Sequence, residues 1–320
     1  MRRTALQTFF RGALVAAIPF GFGVAQATTP ACTTTMIVTP MGDDGGAPPM
    51  PVNGAYSTAD CNRICGGYGY WCEPAAADAG LPGDVACHIS RCAGAMCGRL
   101  TDGVQDPAAA HDCGAHGARA HDIVARHFET AAALEAASVL SFRRLARELA
   151  AHGAPPRLVA RALASARDEV RHARIVGQIA EEHGGRRRGL ARTMLPLRAL
   201  DDVAVENAVE GCVRETFGAL VASWQALAAP TASLRATMRA VGRDEQRHAE
   251  LAWDIARWAE PRLSPAARRR LARARRAAVA ALERELAVET PEPLVRVAGL
   301  PTRAVAQKLF AEARRHVWAA

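Results

Sequence analysis

The stretch Asp168-Glu169-Val170-Arg171-His172 returns, changed at one residue, as Asp244-Glu245-Gln246-Arg247-His248, 76 positions further on. Both copies sit within long runs rich in Ala, Leu and Arg, a composition that favours helix. Around the first, Ala162, Ser165, Glu169, His172, Val176 and Ile179 recur at steps of three and four, so Glu169 and His172 fall on the apolar stripe. Around the second, Met238, Val241, Glu245, His248, Leu251 or Ala252, and Ile255 make an equivalent stripe. A carboxylate on a core-facing stripe needs a partner there, because burying it alone is costly.

Breaks in the pattern set the lengths of the helices. A first helix is expected over about Ala120 to Ala151, stopped by His152-Gly153, and a second from about Pro156 to His183, stopped by Gly184-Gly185. A connection of roughly sixteen residues follows, long enough when extended, at about 3.3 Å per residue, to travel the length of a bundle. The third helix starts near Asp201 or Asp202 as a cap and runs to about Ala229; the fourth follows Pro230-Thr231 and ends before Pro261. Short, long, short is the connection pattern of a four-helix bundle made of two hairpins and a crossover. Ser264 as cap and Pro265 at the first position open a further helix to about Val288, and a helical tail begins near Pro301.

The first helix carries Phe128, Ala132, Glu135, Ser138 or Val139, Phe142 and Leu149 on one face, which puts a single glutamate among core residues. In the third helix the 76-residue offset from Glu135 lands on Gly211, flanked by Glu210 and Glu215. Glu215 lies close to the same face among Ala208, Gly211, Cys212, Gly218 and Ala219, whose small size leaves room for ions. Glu210 sits about 100° off that face unless a π-bulge brings both glutamates inward. Glu206 falls at the outer edge. Glu and His three apart on a helix can ligate one ion, and two such pairs with one Glu from each remaining helix complete a dinuclear carboxylate site. One E-x-x-H alone is an ordinary surface pair; two copies of a longer word on inward stripes are not.

On these residues the chain resembles the ferritin-like di-iron carboxylate superfamily, and the D-E-x-R-H form looks most similar to its bacterial di-iron oxygenases. The resemblance covers about Arg119 to Pro261. It implies a mainly α fold, a ferritin-like four-helix bundle, and a ligand set of Glu135, Glu169, His172, Glu215 or Glu210, Glu245 and His248. It implies also that Asp168 and Asp244 accept the histidine N–H groups while Arg171 and Arg247 balance those aspartates. Two iron ions would be the cofactor, with manganese suited to the same ligands, and O2 or peroxide would react with the help of a reductant or substrate. An exported di-iron redox enzyme is the first expectation. Iron or manganese sequestration with ferroxidase-type activity is the second, and a metal-free structural or adhesion protein the third. No rubredoxin-like C-x-x-C pair supplies electrons from within the chain.

Outside the bundle the chain changes character. Arg2-Arg3, an apolar stretch from Ala13 to Val24 and Ala25-Gln26-Ala27 read as an export signal over 1–27, with the mature chain starting at Thr28. Cys32, Cys61, Cys65, Cys72, Cys87, Cys92, Cys97 and Cys113 make an even set in an exported chain, which predicts a small loop-dominated disulfide module over 28–118 with its linker. The bundle then spans 119–262 and a C-terminal helical extension 263–320. The net charge of +8 comes from arginines spread beside Asp and Glu, with Lys308 the single lysine, and no nucleic-acid-binding motif accompanies it. The run Arg268, Arg269, Arg270, Arg273, Arg275 and Arg276 reads as a solvated helix face. No stretch is long and apolar enough to cross a membrane.

Overall fold

The computed structural model describes residues 6–10, 12–13, 33–38, 71–74, 85–90, 120–186 and 196–319. They fall into two compact units, a helical one holding 120–319 together with 6–13, and a smaller one holding the strands. The described chain is mainly α-helical.

In the helical unit, α1 (Ala120–Ala151) and α2 (Pro156–Glu182) form a hairpin, packed against each other along their lengths. Both end in the same way. Gly153 and Gly184 take left-handed backbone angles, φ 71° and φ 80°, a conformation that suits glycine because it has no Cβ. Ala154 N–H reaches back to Leu149 O at 2.8 Å and Gly185 N–H to Ala180 O at 2.8 Å, closing a Schellman motif at each end. A second hairpin follows the crossover. Its first arm is α3 (Leu200–Glu206), a π-helical segment π1 (Asn207–Glu215) and α4 (Thr216–Ala228), and its second is α5 (Ala232–Ala259). Thr231 caps α5, its hydroxyl accepting from Leu234 N at 3.1 Å.

Beyond the hairpins come α6 (Pro265–Glu285), capped by the Ser264 hydroxyl, α7 (Glu292–Ala298), α8 (Arg303–Ala313) and a π-helical end, π2 (Arg314–Trp318). The helix starts fall within about two residues of the sequence expectation, but Asp201 and Asp202 lie in the first turn of α3 instead of capping it, the cap being Ala199, and α7 was not foreseen. Within the basic run of α6, Arg270 pairs with Asp202 and Arg275 with Glu260, so part of that face is neutralised.

Two apolar clusters fill the unit. One gathers Phe142, Leu145, Leu149, Leu158, Ala162, Val203, Leu251 and Ile255. The other gathers Phe128, Val176, Val213, Phe217, Leu220, Trp253, Leu282, Leu309 and Phe310. Along α1 and α2 the buried residues between the two clusters include Glu135, Ser138, Glu169 and His172. The end of the crossover is pinned to α1. Arg198 donates through N, Nε and Nη2 to the fully buried Glu148, and Arg144 Nε donates to Pro196 O at 2.9 Å.

Residues 6–10 and 12–13 are helical, and Leu6, Phe9, Phe10 and Ala13 are buried in the second cluster. Gln7 Nε2 donates to Glu250 Oε1 at 2.7 Å. The smaller unit contains a three-stranded antiparallel sheet, β1 (Thr33–Val38), β3 (Val85–Ser90) and β2 (Trp71–Pro74) in that spatial order, which the expectation of a loop-dominated module did not specify. The β2–β3 register sets Cys72 opposite Cys87; Cys32, Cys61, Cys65, Cys92, Cys97 and Cys113 lie outside the described residues. No helix among the described residues is long and apolar enough to cross a membrane.

Candidate metal centre

Helical spacing delivers the repeated word to the interior from two directions. On α2, Glu169 and His172 share the face that also buries Ser165 and Val176; on α5, Glu245 and His248 share the face of Val241 and Ala252. Each of the four is at most 1% exposed. Glu135 joins them from α1, at 2%. One ligand atom from each of Glu135, Glu169, His172 and Glu245 lies within 4.8 Å of the others, the separation that a single ion can bridge.

The two histidines point the same way in mirror image. His172 Nδ1 stands 3.2 Å from Glu245 Oε1, 3.5 Å from Glu135 Oε2 and 3.7 Å from Glu169 Oε2. His248 Nδ1 stands 3.2 Å from Glu169 Oε1 and 3.6 Å from Glu245 Oε2. Glu169 and Glu245 thus each turn one oxygen toward one histidine and the other oxygen toward the other. None of these Nδ1 and carboxylate oxygen atoms makes a hydrogen bond. Buried polar atoms are nearly always satisfied, so a converging group of orphans needs an account.

The outer nitrogens are satisfied, and crosswise. His172 Nε2 donates to Asp244 at 3.1 Å and His248 Nε2 to Asp168 at 3.4 Å, so each word supplies the aspartate that holds the other word's histidine. Arg171 reaches both Asp168 (2.8 Å) and Asp244 (2.7 Å), and Arg247 does the same at 3.2 and 2.6 Å. These arginines are half-exposed and close the site toward solvent. Sequence reading foresaw histidines held by aspartates but not the crossing, because helix periodicity says nothing about which aspartate faces which histidine. The ring of Phe142 lies 5.1 Å from that of His248 and covers it from the apolar side.

The third helix places its two candidate glutamates in different surroundings. The π-helical segment, which the sequence raised as the condition for bringing both inward, is present over Asn207–Glu215. Glu215 is buried at 2% exposure, whereas Glu210 is half-buried. Glu206 is engaged elsewhere, in an ion pair with Arg198. Small residues, Ala208, Gly211 and Cys212, line the buried face of the segment as expected. Cys212 is a buried core residue that receives Asn207 Nδ2 at 3.8 Å. Trp253 and Trp258 belong to the apolar clusters.

Electrostatics follow from burial and proximity. Burial, and then the neighbouring Glu169, lift the Glu135 carboxyl well above the usual range. Burial also pushes Glu169 up, but contacts with Glu135, His172 and His248 outweigh it and hold this carboxylate well below its ordinary range. Burial works against charging the histidines, yet Asp244, Glu135, Glu169 and Glu245 raise His172, and Glu245, Asp168 and Glu169 raise His248. Asp168 and Asp244, pushed up by burial, are brought below the usual range by their histidine and arginine partners. The shifts run in opposite directions, Glu135 and the two imidazoles toward the protonated form and Glu169, Asp168 and Asp244 toward the ionised one.

Compared with protein-family models, with curated proteins and with solved structures, the chain matches none.

Proposed function

We propose that the helical unit is a ferritin-like four-helix bundle whose centre holds two metal ions, iron by preference and manganese on the same ligands, for redox chemistry with O2 or peroxide. The observation that carries this is the convergence of buried ligand atoms of Glu135, Glu169, His172, Glu245 and His248 that make no hydrogen bond. The donor set fits. Carboxylate oxygen and imidazole nitrogen suit iron and manganese, and there is no thiolate among them. Charge fits as well: Arg171 and Arg247 offset Asp168 and Asp244, leaving four buried glutamates for two divalent cations to neutralise.

On this reading Glu169 and Glu245 would hold metal from the middle of the site, since each presents one oxygen to either histidine. Glu135 and His172 would add their ligand atoms on one side, and His248, with the buried Glu215, on the other. Asp244 and Asp168 would fix the histidine tautomer by accepting the Nε2–H hydrogen bond, so that Nδ1 offers its lone pair inward. Iron, when bound, would supply one-electron redox chemistry with oxygen or peroxide. The surrounding residues bind, neutralise and keep bulk water away, and burial of every ligand admits ions and small molecules rather than a bulky substrate. That same burial favours a second reading, metal sequestration with ferroxidase-type turnover and no organic substrate. Oxygen uptake separates the two: if the first holds, the iron-loaded chain consumes O2 catalytically with a reductant, whereas a single burst proportional to added ferrous iron points to the second.

We further propose that the chain is exported by its first 27 residues and that the eight N-terminal cysteines pair as disulfides, the oxidised state expected outside the cytoplasm. Intact mass before and after reduction and alkylation tests the pairing, and a set of eight free thiols in the secreted chain would refute it.

A further inference from the structure

The third helix is held in its unusual form from two sides. Where π1 begins, Asn207 Nδ2 donates to Ala252 O of α5 at 2.9 Å, and just past its end Trp253 Nε1 of α5 donates to Thr216 Oγ1 at 3.3 Å. Its middle is held by the C-terminal extension. Trp318 Nε1 donates to the backbone carbonyl of Cys212 at 2.9 Å, and Glu285 at the end of α6 takes both Nη atoms of Arg214 at 2.9 and 2.8 Å. Both ties land within three residues of Glu215.

A π-turn is a rare conformation that carries one residue more per turn than the α register available to the same chain, so something outside the segment has to favour it. The consequence of losing it is large at the site. Absorbing or expelling one residue rotates one part of the helix against the other by about 100°. With α4 buried on nearly all sides, that rotation falls on the segment that carries Glu215 or on the stretch before it.

We infer that the C-terminal extension is part of the metal centre: Trp318 and the Arg214–Glu285 pair are positioning residues that hold the π register in which Glu215 faces inward. The inference rests on the proposed dinuclear site for its functional consequence, but the clamp itself can be tested without metal. The Trp318 ring also packs on Phe310, 5.6 Å between centroids, so Trp318→Phe removes the indole N–H while keeping an aromatic group there.

The experiment compares the full chain with the double variant Trp318→Phe/Glu285→Gln and with Glu283→Gln, which breaks an exposed pair to Arg314 on the same extension without touching π1. Hydrogen–deuterium exchange of the metal-free proteins is read over residues 207–215, and cobalt(II) uptake is read by stoichiometry and visible absorption. The double variant should exchange at least about tenfold faster in that segment, with α1, α2 and α5 unchanged. Its cobalt stoichiometry should fall from two toward one with an altered spectrum, as for Glu215→Gln, and Glu283→Gln should match the parent. Exchange over 207–215 equal to the parent overturns the clamp, as does acceleration spread evenly through all helices. A parent chain that binds no cobalt while the double variant loses protection only in π1 sinks the metal reading and leaves the clamp standing.

Discussion

Glu215 and Glu210 bear the same side chain five positions apart, and in the structure Glu215 is buried where Glu210 is half-buried. Glu215→Gln should lower bound metal from two ions per chain toward one, because an amide replaces one charged ligand, while Glu210→Gln should leave the stoichiometry at two; elemental analysis of the purified variants reads this directly. A second expectation concerns protons. Without metal, His172, His248 and Glu135 are all raised and hold protons that a metal ion must displace. Affinity should therefore rise with pH and fall as pH is lowered, with proton release on binding; calorimetric titrations in buffers of different ionisation enthalpy measure both. A pH-independent affinity with no proton release would contradict the proton-compensated picture. At this scale much was legible: Glu135, Glu169, His172, Glu245 and His248 all announced themselves by helical spacing. The crossed aspartates did not, being a property of two helices together.

At the scale of elements, the described end of the crossover is tied to a single buried charge. Glu148 receives three donors of Arg198 and also pairs with Arg144 at 3.1 Å, and it lies at 0% exposure. Removing one partner of a buried ion pair strands the rest, so Glu148→Ala should destabilise the helical unit by about 3 kcal/mol, read by denaturant unfolding. A change below about 0.5 kcal/mol would mean that the pairing adds little to holding the crossover. Helix beginnings and ends were readable because their signals are local: Thr231 and Ser264 as caps, Pro156 and Pro265 at first positions, Gly153 and Gly184 at the stops. Helix α7 escaped because seven residues between Pro291 and Gly299 are too few to show periodicity. The role of Glu148 escaped too, since its partner is 50 positions away.

The whole molecule joins a helical unit to a small β-containing one, and its first residues connect two expectations. Leu6, Phe9, Phe10 and Ala13 are buried in the helical core, yet the sequence marks them as part of a removable export signal. Export with cleavage requires the core to close without them. The chain beginning at Thr28 should then unfold cooperatively and keep its helical circular-dichroism signal; a molten chain that recovers only with residues 1–27 present would make the segment a permanent part of the fold. The central claim is the dinuclear centre, and metal content tests it most directly. The full chain, loaded with iron under anaerobic conditions and freed of excess, should contain two ions, and Glu169→Ala and His248→Ala should lose them while keeping their helical signal. A well-folded parent chain that retains no iron or manganese would contradict it and leave the buried acids and histidines as a proton-compensated structural network.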